Sequence, residues 1–513
     1  MLEDKRKNEL FTLIHSLESF EKAYYKKMAK RYAENNRALH LQLFELIEKS
    51  QVNDEKFYIR KMGIKSLAHF SGIKNHLWND ILSAIVYHRR NDPLAQLQFL
   101  IIEAEMLLSK NLIASAGKLL QIAWQTTAKY EQYNIQTRLI HLKYKLLSYS
   151  DYKHFKSEST RLLALQEQVI KRLQCEQQLQ MIRRELIGIK QFTYLRIPES
   201  QLARIRDIET ELSFIAIEED CPMLQLLYWF NKCAAAHLSY HFEKCLEYTE
   251  KLATLWQKHT HQIPHSATLF LSCADYCFYN AFALKRVAVA EQHLEVYENL
   301  AQKYLDKKEL EQWQIIAFNT QLKIYHKNAQ YDRVLQLLES DSERILEQVN
   351  RILPPVSGIS IISSICISWF VLEQFDKAED LLIDINNLNH HVQREDILYF
   401  TSTFYLLILF EKKNYLQLNQ AISTSYFRLY NKKKLQPFER ELMLFLKHLS
   451  NEDSGSGKIK IIQHFLEQLK TYRNDPVKDL YFLYFNYFGW LESKIQRLKY
   501  TEYMQLQVFE SAK

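Results

Sequence analysis

Three histidines that lie close together in the sequence are the strongest candidates for metal binding. His259, His261 and His265 fall within the segment HTHQIPH, and imidazole is a common zinc ligand. A structural zinc site needs four protein ligands, and a catalytic site usually needs three in a fixed geometry. No carboxylate or cysteine lies within the segment. We therefore expect loop histidines that face solvent, with a metal site as the less favoured alternative.

The seven cysteines form the second group of reactive side chains. Cys273 and Cys277 are four residues apart, a spacing that places both on one face of a helix. They would be either a redox or metal-binding pair or two small core residues at a helix crossing. The number of cysteines is odd, and no C-x-x-C occurs. Reduced thiols of this kind are typical of the cytosol, so the sequence predicts buried thiols and a cytoplasmic protein.

Motifs of the common catalytic sites are absent from the sequence. It contains no G-x-x-x-x-G-K-[ST], G-x-S-x-G, H-E-x-x-H, D-F-G or G-x-G-x-x-G. Glycine accounts for only 8 of the 513 residues, which argues against an unrecognised phosphate-binding loop. His390 and His391 lie in the polar segment NNLNHH and indicate no site. We expect no enzyme, no cofactor, and no catalytic, cofactor-binding or metal-binding residue.

The low glycine and proline contents, 8 residues of each, favour long helices over a many-stranded sheet. Proline is tolerated in the first turn of a helix and breaks the interior, so it can mark helix starts. The later sites are Pro222, Pro264, Pro354 with Pro355, Pro437 and Pro476, and the successive intervals between them are 42, 90, 83 and 39. The two long intervals are about twice the short ones, and the skipped starts fall near Glu309 and Glu395. The prolines therefore predict a repeat unit of about 42 residues.

Each unit is predicted to contain two helices. A polar break near the middle of each unit is followed by an aromatic residue and a second apolar pattern. These aromatic residues are Phe242, Tyr331, Phe375 and Tyr415, and the break is weaker at Lys285–Arg286. A single helical hairpin cannot bury its apolar face, whereas stacked hairpins can. The sequence therefore predicts an all-α solenoid of antiparallel helical hairpins. Residues 131–220 are expected to hold three or four more helices of unclear phase.

These hairpins resemble the tetratricopeptide repeat (TPR). The matching residues are Cys366, Trp369, Phe375, Ala378, Leu382 and Ile385 in one unit, Trp229, Cys233, Phe242, Cys245 and Leu252 in another, and Ala104, Leu107, Ile113, Ala116, Leu120 and Ala123 in a third. The period is longer than that of the TPR, and Val334 and Leu418 replace a small residue. The resemblance covers residues 93–475. It implies a right-handed solenoid that binds a protein or peptide in a concave groove.

The N-terminal segment, residues 1–92, is more basic than the rest. Residues 1–90 contain 17 Lys/Arg and 11 Asp/Glu, which is +6 of the total formal charge of +7. The spacing of Leu67–Ile81 is similar to a helix-turn-helix, with Gly72 at the turn. Its outward residues, which could contact DNA, would be Lys74, Asn75, His76 and Asn79. The alternative, which we favour, is a helical cap on the first hairpin.

Two apolar segments also require an explanation. Val356–Leu372 is uncharged but contains five serines and is shorter than a membrane span, which indicates a buried helix and no membrane crossing. Leu480–Leu491 reads LYFLYFNYFGWL, so a helix there must be covered. It would either cap the last hairpin or mediate dimerisation. The predicted domains are therefore 1–92, 93–475 (the repeats) and 476–513 (an aromatic capping helix).

Two functions follow as hypotheses. The first is a non-catalytic, cytoplasmic helical-repeat scaffold that binds a protein or peptide. The second is a transcriptional regulator that has a helix-turn-helix-like unit within residues 1–92 and a repeat domain that senses a ligand or peptide. An enzyme with a site assembled from distant residues is a third alternative. The sequence predicts neither the identity of the partner nor the oligomeric state.

Overall fold

The structure, a computed structural model, describes residues 2–31, 37–149, 151–192, 197–353, 355–387, 395–431, 435, 437–472, 482 and 485–511. Within these ranges it contains 24 α-helices, two short 3-10 helices and no β-strand. The all-α prediction is therefore confirmed for this part of the chain. The α-helices are α1 (Leu2–Ser16), α2 (Ser19–Arg31), α3 (Arg37–Lys49), α4 (Glu55–Lys61), α5 (Leu67–His88), α6 (Pro93–Ser109), α7 (Ile113–Lys129), α8 (Tyr133–Leu147), α9 (Tyr152–Phe192), α10 (Glu199–Ser213), α11 (Pro222–Leu238), α12 (Phe242–Lys258), α13 (Ala267–Ala283), α14 (Val287–Tyr304), α15 (Lys307–Lys327), α16 (Tyr331–Ile352), α17 (Pro355–Val371), α18 (Phe375–Asn387), α19 (Glu395–Glu411), α20 (Tyr415–Asn431), α21 (Pro437–Asn451), α22 (Gly455–Lys470), α23 (Tyr487–Gln496) and α24 (Tyr500–Ser511).

The chain divides into two compact units, Met1–Leu173 and Gln174–Lys513. The division falls inside α9, a helix of 41 residues. It differs from the predicted boundary after residue 92, while the predicted boundary at 475/476 lies outside the described residues. In the first unit, α1 to α5 enclose one apolar cluster that includes Ile14, Phe44 and Leu77. A second cluster in the same unit forms where α6, α7 and α8 pack together.

The segment that begins at Leu67 forms one uninterrupted helix, α5, so the less favoured alternative of a helix-turn-helix over Leu67–Ile81 is wrong. Gly72 lies within the helix, and the glycine with positive φ is Gly63, in the loop before α5. A glycine inside a helix costs only about 1 kcal/mol, and burial of one large apolar side chain offsets that. The buried residues of α5 recur at helical spacing and are Phe70, Ile73, Leu77, Ile81 and Ala84.

In the second unit, five successive hairpins each join two helices by a turn of three residues. Their first helices, here called A helices, are α11, α13, α15, α17 and α19, and their second helices, the B helices, are α12, α14, α16, α18 and α20. Each A helix packs on its own B helix and on the next A helix. The A helices begin at residues 222, 267, 307, 355 and 395, so successive starts are unevenly spaced.

The helix starts agree closely with the punctuation of the sequence. Four B helices begin at the aromatic residues expected to open them, which are Phe242, Tyr331, Phe375 and Tyr415. Prolines begin α11, α17 and α21, and Glu395 begins α19. Pro264 does not begin a helix, because a 3-10 turn (Thr260–Gln262) and a bend precede α13, which starts at Ala267. Helices and connections both vary in length, and α15 and α16, with 21 and 22 residues, are the longest of these helices. The interval between A helices is therefore not constant.

One residue in the middle of each hairpin turn has a left-handed backbone. These left-handed turn residues are Tyr240, Lys285, Ala329, Glu373 and Lys413, with φ between 51° and 61°. The amide that follows each one bonds back to the A helix; for example, His241 N–H donates to the carbonyl oxygen of Ala236 at 2.8 Å. This is the Schellman geometry that ends many helices, usually with glycine at the left-handed position. Counting from this residue gives equivalent positions in the five hairpins.

The two helices of each hairpin have buried side chains at equivalent positions. The residues seven before the left-handed turn residue are Cys233, Phe278, Leu322, Cys366 and Leu406, and those five after it are Cys245, Ala290, Val334, Ala378 and Leu418. All ten are at most 3% exposed. The Sγ atoms of Cys233 and Cys245 are 3.0 Å apart, and the Cys366 thiol donates to the carbonyl oxygen of Ala378 at 3.3 Å. These small pairs, which carry the TPR resemblance, let the helices approach closely.

The C-terminal helices α23 and α24 pack along the turn ends of three hairpins. Three contacts run in reverse chain order and join Trp490 to Glu411, Lys499 to Glu373, and Gln505 to the carbonyl oxygen of Ala329. The C-terminal helices therefore contact more than the last hairpin, which they were expected to cap. Part of the predicted capping segment, Leu480–Leu491, lies outside the described residues. The uncharged run expected to be a buried helix forms α17. None of the described helices combines the length and apolar composition of a bilayer crossing.

Candidate functional site

The three histidines of the HTHQIPH segment lie at the end of α12 and in the turn before α13. All three are half-buried, so each is only partly exposed to solvent. The ring centroids of His259 and His261 are 6.2 Å apart. Partial burial, followed by the positive charge of His261, lowers the pKa of His259. His390 and His391, the other histidines considered, lie outside the described residues.

Cys273 and Cys277 are both fully buried on α13. Burial raises the pKa of each thiol to about 12. Because the thiolate is the reactive form of cysteine, these thiols are poor nucleophiles and metal ligands near neutral pH. The contact between Cys233 and Cys245 was not anticipated from the sequence, since they lie on different helices and are 12 residues apart.

The residues proposed to contact DNA lie on α5 within the first unit. Asn75, His76 and Asn79 are exposed. Lys74 is half-buried, and its Nζ lies 2.5 Å from Oε1 of Glu55. The neighbouring Asp80 accepts a contact of 2.9 Å from the ring of His40. The carboxylate of Glu55 therefore lies beside Lys74, the only lysine among the four candidate residues. This ion pair does not favour contact of Lys74 with phosphates.

A polar face formed by α9, α13 and α15 is the strongest candidate site in the second unit. We define the lysine face as Lys190, Asp275, Tyr279, Lys323 and Lys327. Nζ of Lys190 lies 3.6 Å from Oδ2 of Asp275. Tyr279 is 38% exposed. Lys323 and Lys327 are one turn apart on α15, so they share one side of that helix.

The lysine face rests on a rigid polar layer. Nδ1 of His237, on α11, lies 3.2 Å from Oδ1 of Asn280, on α13. The amide of Asn280 also donates to the carbonyl oxygen of Tyr276. The His237 ring lies edge-on to the rings of Tyr276 and Tyr279, with centroids 5.0 and 4.8 Å away. Nζ of Lys190 lies 4.2 Å from the centroid of Tyr276, so the aromatic layer also holds the lysine.

The charges of the lysine face are partly desolvated. Burial lowers the pKa of Lys323, and the charge of Lys327 lowers it further. Burial also lowers the pKa of Lys327, followed by the charge of Lys285. Lys327 is nevertheless exposed to solvent. Its side chain therefore reaches water while the neighbouring protein removes part of its hydration.

The equivalent position in α19 shows what such a face can hold. Lys327 is two residues before Ala329, and Glu411 is two residues before Lys413, so the two occupy the same place in their hairpins. Oε1 of Glu411 accepts the indole N–H of Trp490 at 2.6 Å, and Oε2 accepts from Nζ of Lys494 at 2.7 Å. The chain's own helix α23, here called the C-terminal helix, is therefore bound at the α19 position.

Two other clusters of the second unit are weaker candidates for a functional site. Glu218, Asp220 and Cys221 have ligand atoms within 4.8 Å of one another, but both carboxylates are exposed, and exposed acidic groups commonly lie together without a metal. A shallow depression on α16 is lined by Asp332, Leu335, Gln336, Glu339 and Ser340. All five come from one helix, so the depression brings no distant groups together.

The lysine face was not predictable from the sequence. Its members are spread from residue 190 to residue 327, and a lysine on a helix gives no sign of which neighbour it meets. One available signal is the alignment of hairpins on the polar break. In that alignment Lys327 and Glu411 occupy the same position, so the charge at this position differs in sign between the two hairpins.

Comparisons with known proteins leave the chain without a family. No protein-family model matches it, and no curated protein matches it. One solved structure with a detectable likeness is described as the crystal structure of NprR in complex with its cognate peptide NprX. Its sequence is 16% identical, and the match covers 71% of this chain and 100% of that chain, with a TM-score of 0.37. At that level the likeness carries no functional argument, so the chain's own geometry must do so.

Proposed function

We propose that the chain is a non-catalytic helical-repeat scaffold that binds a peptide, or a segment of a partner protein, on the lysine face. The observation that carries this proposal is the binding of the C-terminal helix at Glu411. It supports the view that the turn ends of the A helices accept a second segment of chain through an ion pair and an indole N–H. The lysine face presents the equivalent position of α15.

The hairpin arrangement supports a groove as the form of the site. A helices pack in series in the second unit, and hairpins that stack in this manner commonly form a solenoid whose inner surface is lined by one set of helices. In a right-handed solenoid of TPR-like hairpins, the A helices would line the concave side.

The buried chemistry favours binding over catalysis. Burial lowers the pKa of His237 and His326 to about 4, so both rings are neutral near pH 7. Both are engaged by neighbouring hairpins, with Asn280 and Ser368 respectively. Burial also raises the pKa of the Cys273 and Cys277 thiols. These groups serve to hold the A helices together, which leaves the lysine face as a surface for recognition.

Selection from a random-sequence peptide library, displayed on phage, against the immobilised full-length chain tests the proposal. Affinities of selected peptides are then measured by calorimetry for the wild type and for Tyr279→Ala. We expect Tyr279→Ala to weaken binding about tenfold, because partly exposed aromatic residues commonly anchor bound segments. Tyr430→Ala is the matched control, since Tyr430 is 63% exposed on α20, away from the lysine face.

Two results would contradict the proposed function. One is a selection that enriches no peptide over a surface without protein. The other is a set of bound peptides whose affinities fall equally in Tyr279→Ala and Tyr430→Ala, which would place the binding elsewhere.

A further inference from the structure

The lysine face carries an excess of positive charge that the described residues do not neutralise. Lys323 and Lys327 lie one turn apart, and Lys285 is close enough for its charge to lower the pKa of Lys327. Neither Lys323 nor Lys327 has a carboxylate within ion-pair distance in the described part of the chain. Asp275 acts on Lys323 from farther away and already pairs with Lys190.

This excess is unfavourable unless a ligand offsets it. Like charges on neighbouring turns repel each other, and partial burial strengthens that repulsion because water screens it less. An anionic group placed between Lys323 and Lys327 would relieve the repulsion and regain the lost hydration energy. The site is therefore complementary to negative charge.

The C-terminal helix provides the template for such a ligand. At Glu411 the protein supplies the acid, and the bound helix supplies a cation and an aromatic ring, Lys494 and Trp490. At Lys327 the protein supplies the cation instead. The complementary segment must therefore bring the acid.

The surface beside the lysines is aromatic, which favours an amphipathic ligand over a bare anion. Nζ of Lys323 lies 5.9 Å from the ring centroid of Phe282, on α13. Tyr279 lies one turn before Phe282 on the same helix and is 38% exposed. Aromatic rings of this kind bury apolar side chains. A nucleic acid backbone fits less well, because the exposed carboxylate of Asp275 belongs to the same face.

We propose that the lysine face binds an acidic segment of a partner protein, whose carboxylates pair with Lys323 and Lys327 and whose apolar side chains lie on Tyr279 and Phe282. This inference rests on the proposed function and adds the chemical class of the ligand. It assigns Lys323 and Lys327 as the residues that determine charge specificity.

A charge-reversal selection tests the inference on the full-length chain. The random peptide library is selected in parallel against the wild type, against Lys323→Glu/Lys327→Glu, and against Lys307→Glu/Lys308→Glu. The last variant changes charge equally at two exposed lysines in the first turn of the same helix. We expect Asp and Glu to be enriched by the wild type and the control variant, and Lys and Arg by the Lys323/Lys327 variant. An acidic peptide selected on the wild type should bind the Lys323/Lys327 variant at least about tenfold more weakly.

The outcomes separate the two proposals. Peptides without an acidic bias, whose binding still falls in Tyr279→Ala, would overturn the acidic ligand and leave the scaffold function standing. An acidic bias that persists in the Lys323→Glu/Lys327→Glu selection would also overturn it. If a single-stranded oligonucleotide displaces the acidic peptides at equal concentration, the ligand is a nucleic acid instead. A selection that enriches nothing removes both proposals. Thermal unfolding of the three proteins confirms that each is folded.

Discussion

The imidazole of His237 lies 3.2 Å from the side-chain oxygen of Asn280 in the next hairpin, 43 residues along the chain. The same relationship recurs two hairpins later, where Nε2 of His326 lies 2.7 Å from Oγ of Ser368, 42 residues away. Each histidine is three residues before its left-handed turn residue, and each partner is five residues before the next one. Two of the junctions between successive hairpins therefore contain the same kind of polar contact between A helices.

This contact makes the second unit sensitive to acid. Burial lowers the pKa of His237 and of His326 from 6.5 to about 4. Between these two pH values the unfolded chain binds a proton at each histidine and the folded chain does not. Their contribution to stability is therefore complete above about pH 6.5 and is lost as the pH falls toward 4. We expect a loss on the order of 1 to 2 kcal/mol for each histidine at pH 5, measured as the change in the thermal unfolding midpoint with pH.

The intervening hairpin supplies the matched variant for that measurement. Its A helix, α13, has Phe282 at the position of His237, and the next A helix, α15, has Ile324 at the position of Asn280. This pair is an apolar alternative to the polar contact. We therefore expect His237→Phe/Asn280→Ile to fold at pH 7 and to lose about half of the acid sensitivity, with the rest due to His326. An unchanged pH dependence in this variant would show that other groups cause it.

The hairpin turns were largely predictable from the sequence, and the reason is local. A polar break ends one apolar pattern, and an aromatic residue such as Phe375 or Tyr415 begins the next, so both signals lie within a few residues of the turn. The prolines predicted helix starts less consistently. Pro222 begins α11, whereas Pro264 lies before α13, because proline fits a turn as well as a first helical turn.

The candidate site and the N-terminal segment were less predictable because both depend on contacts between distant residues. Gly72 looked like a turn, but the buried face of α5 outweighs the small cost of a glycine within a helix. Lys323 and Lys327 looked like ordinary surface lysines, and only their neighbours on α13 distinguish them. The C-terminal aromatic segment was recognised as a helix that needs a cover, but its partner residues, such as Glu411, lie about 80 residues away in the chain.

The left-handed turn residues are strained positions that a glycine would relieve. Lys413 is exposed and has a φ of 58°, a conformation that costs a residue with a β-carbon roughly 1 kcal/mol. We expect Lys413→Gly to raise the free energy of unfolding by about 0.5 to 1 kcal/mol in chemical denaturation. Lys413→Ala is the control, because it removes the side chain but keeps the β-carbon. Equal stability of the two variants would show that the strain is not released.

The contact between Trp490 and Glu411 is expected to hold the C-terminal helix in place. Trp490 is 2% exposed, so removal of its acceptor leaves a buried N–H without a partner. We expect Glu411→Ala to lower the free energy of unfolding by about 2 to 3 kcal/mol. Glu373→Ala should change it far less, because the pair of Glu373 with Lys499 is exposed and exposed pairs contribute little. Comparable losses in both variants would argue against a special role for the indole contact.

At each helix crossing, a change in the size of the buried side chain should destabilise the protein. Ala378 is fully buried, and its carbonyl oxygen lies 3.3 Å from the sulfur of Cys366, so Ala378→Leu forces the two helices apart. We expect a loss of about 1 to 3 kcal/mol from that overpacking. At the equivalent positions of α19 and α20, Leu406 and Leu418 are also fully buried in the same apolar cluster. There the opposite change, Leu418→Ala, should leave a cavity and cost about 2 to 5 kcal/mol. Urea denaturation of the two variants measures both effects, and a neutral Ala378→Leu would mean that the small pair does not set the distance between the helices.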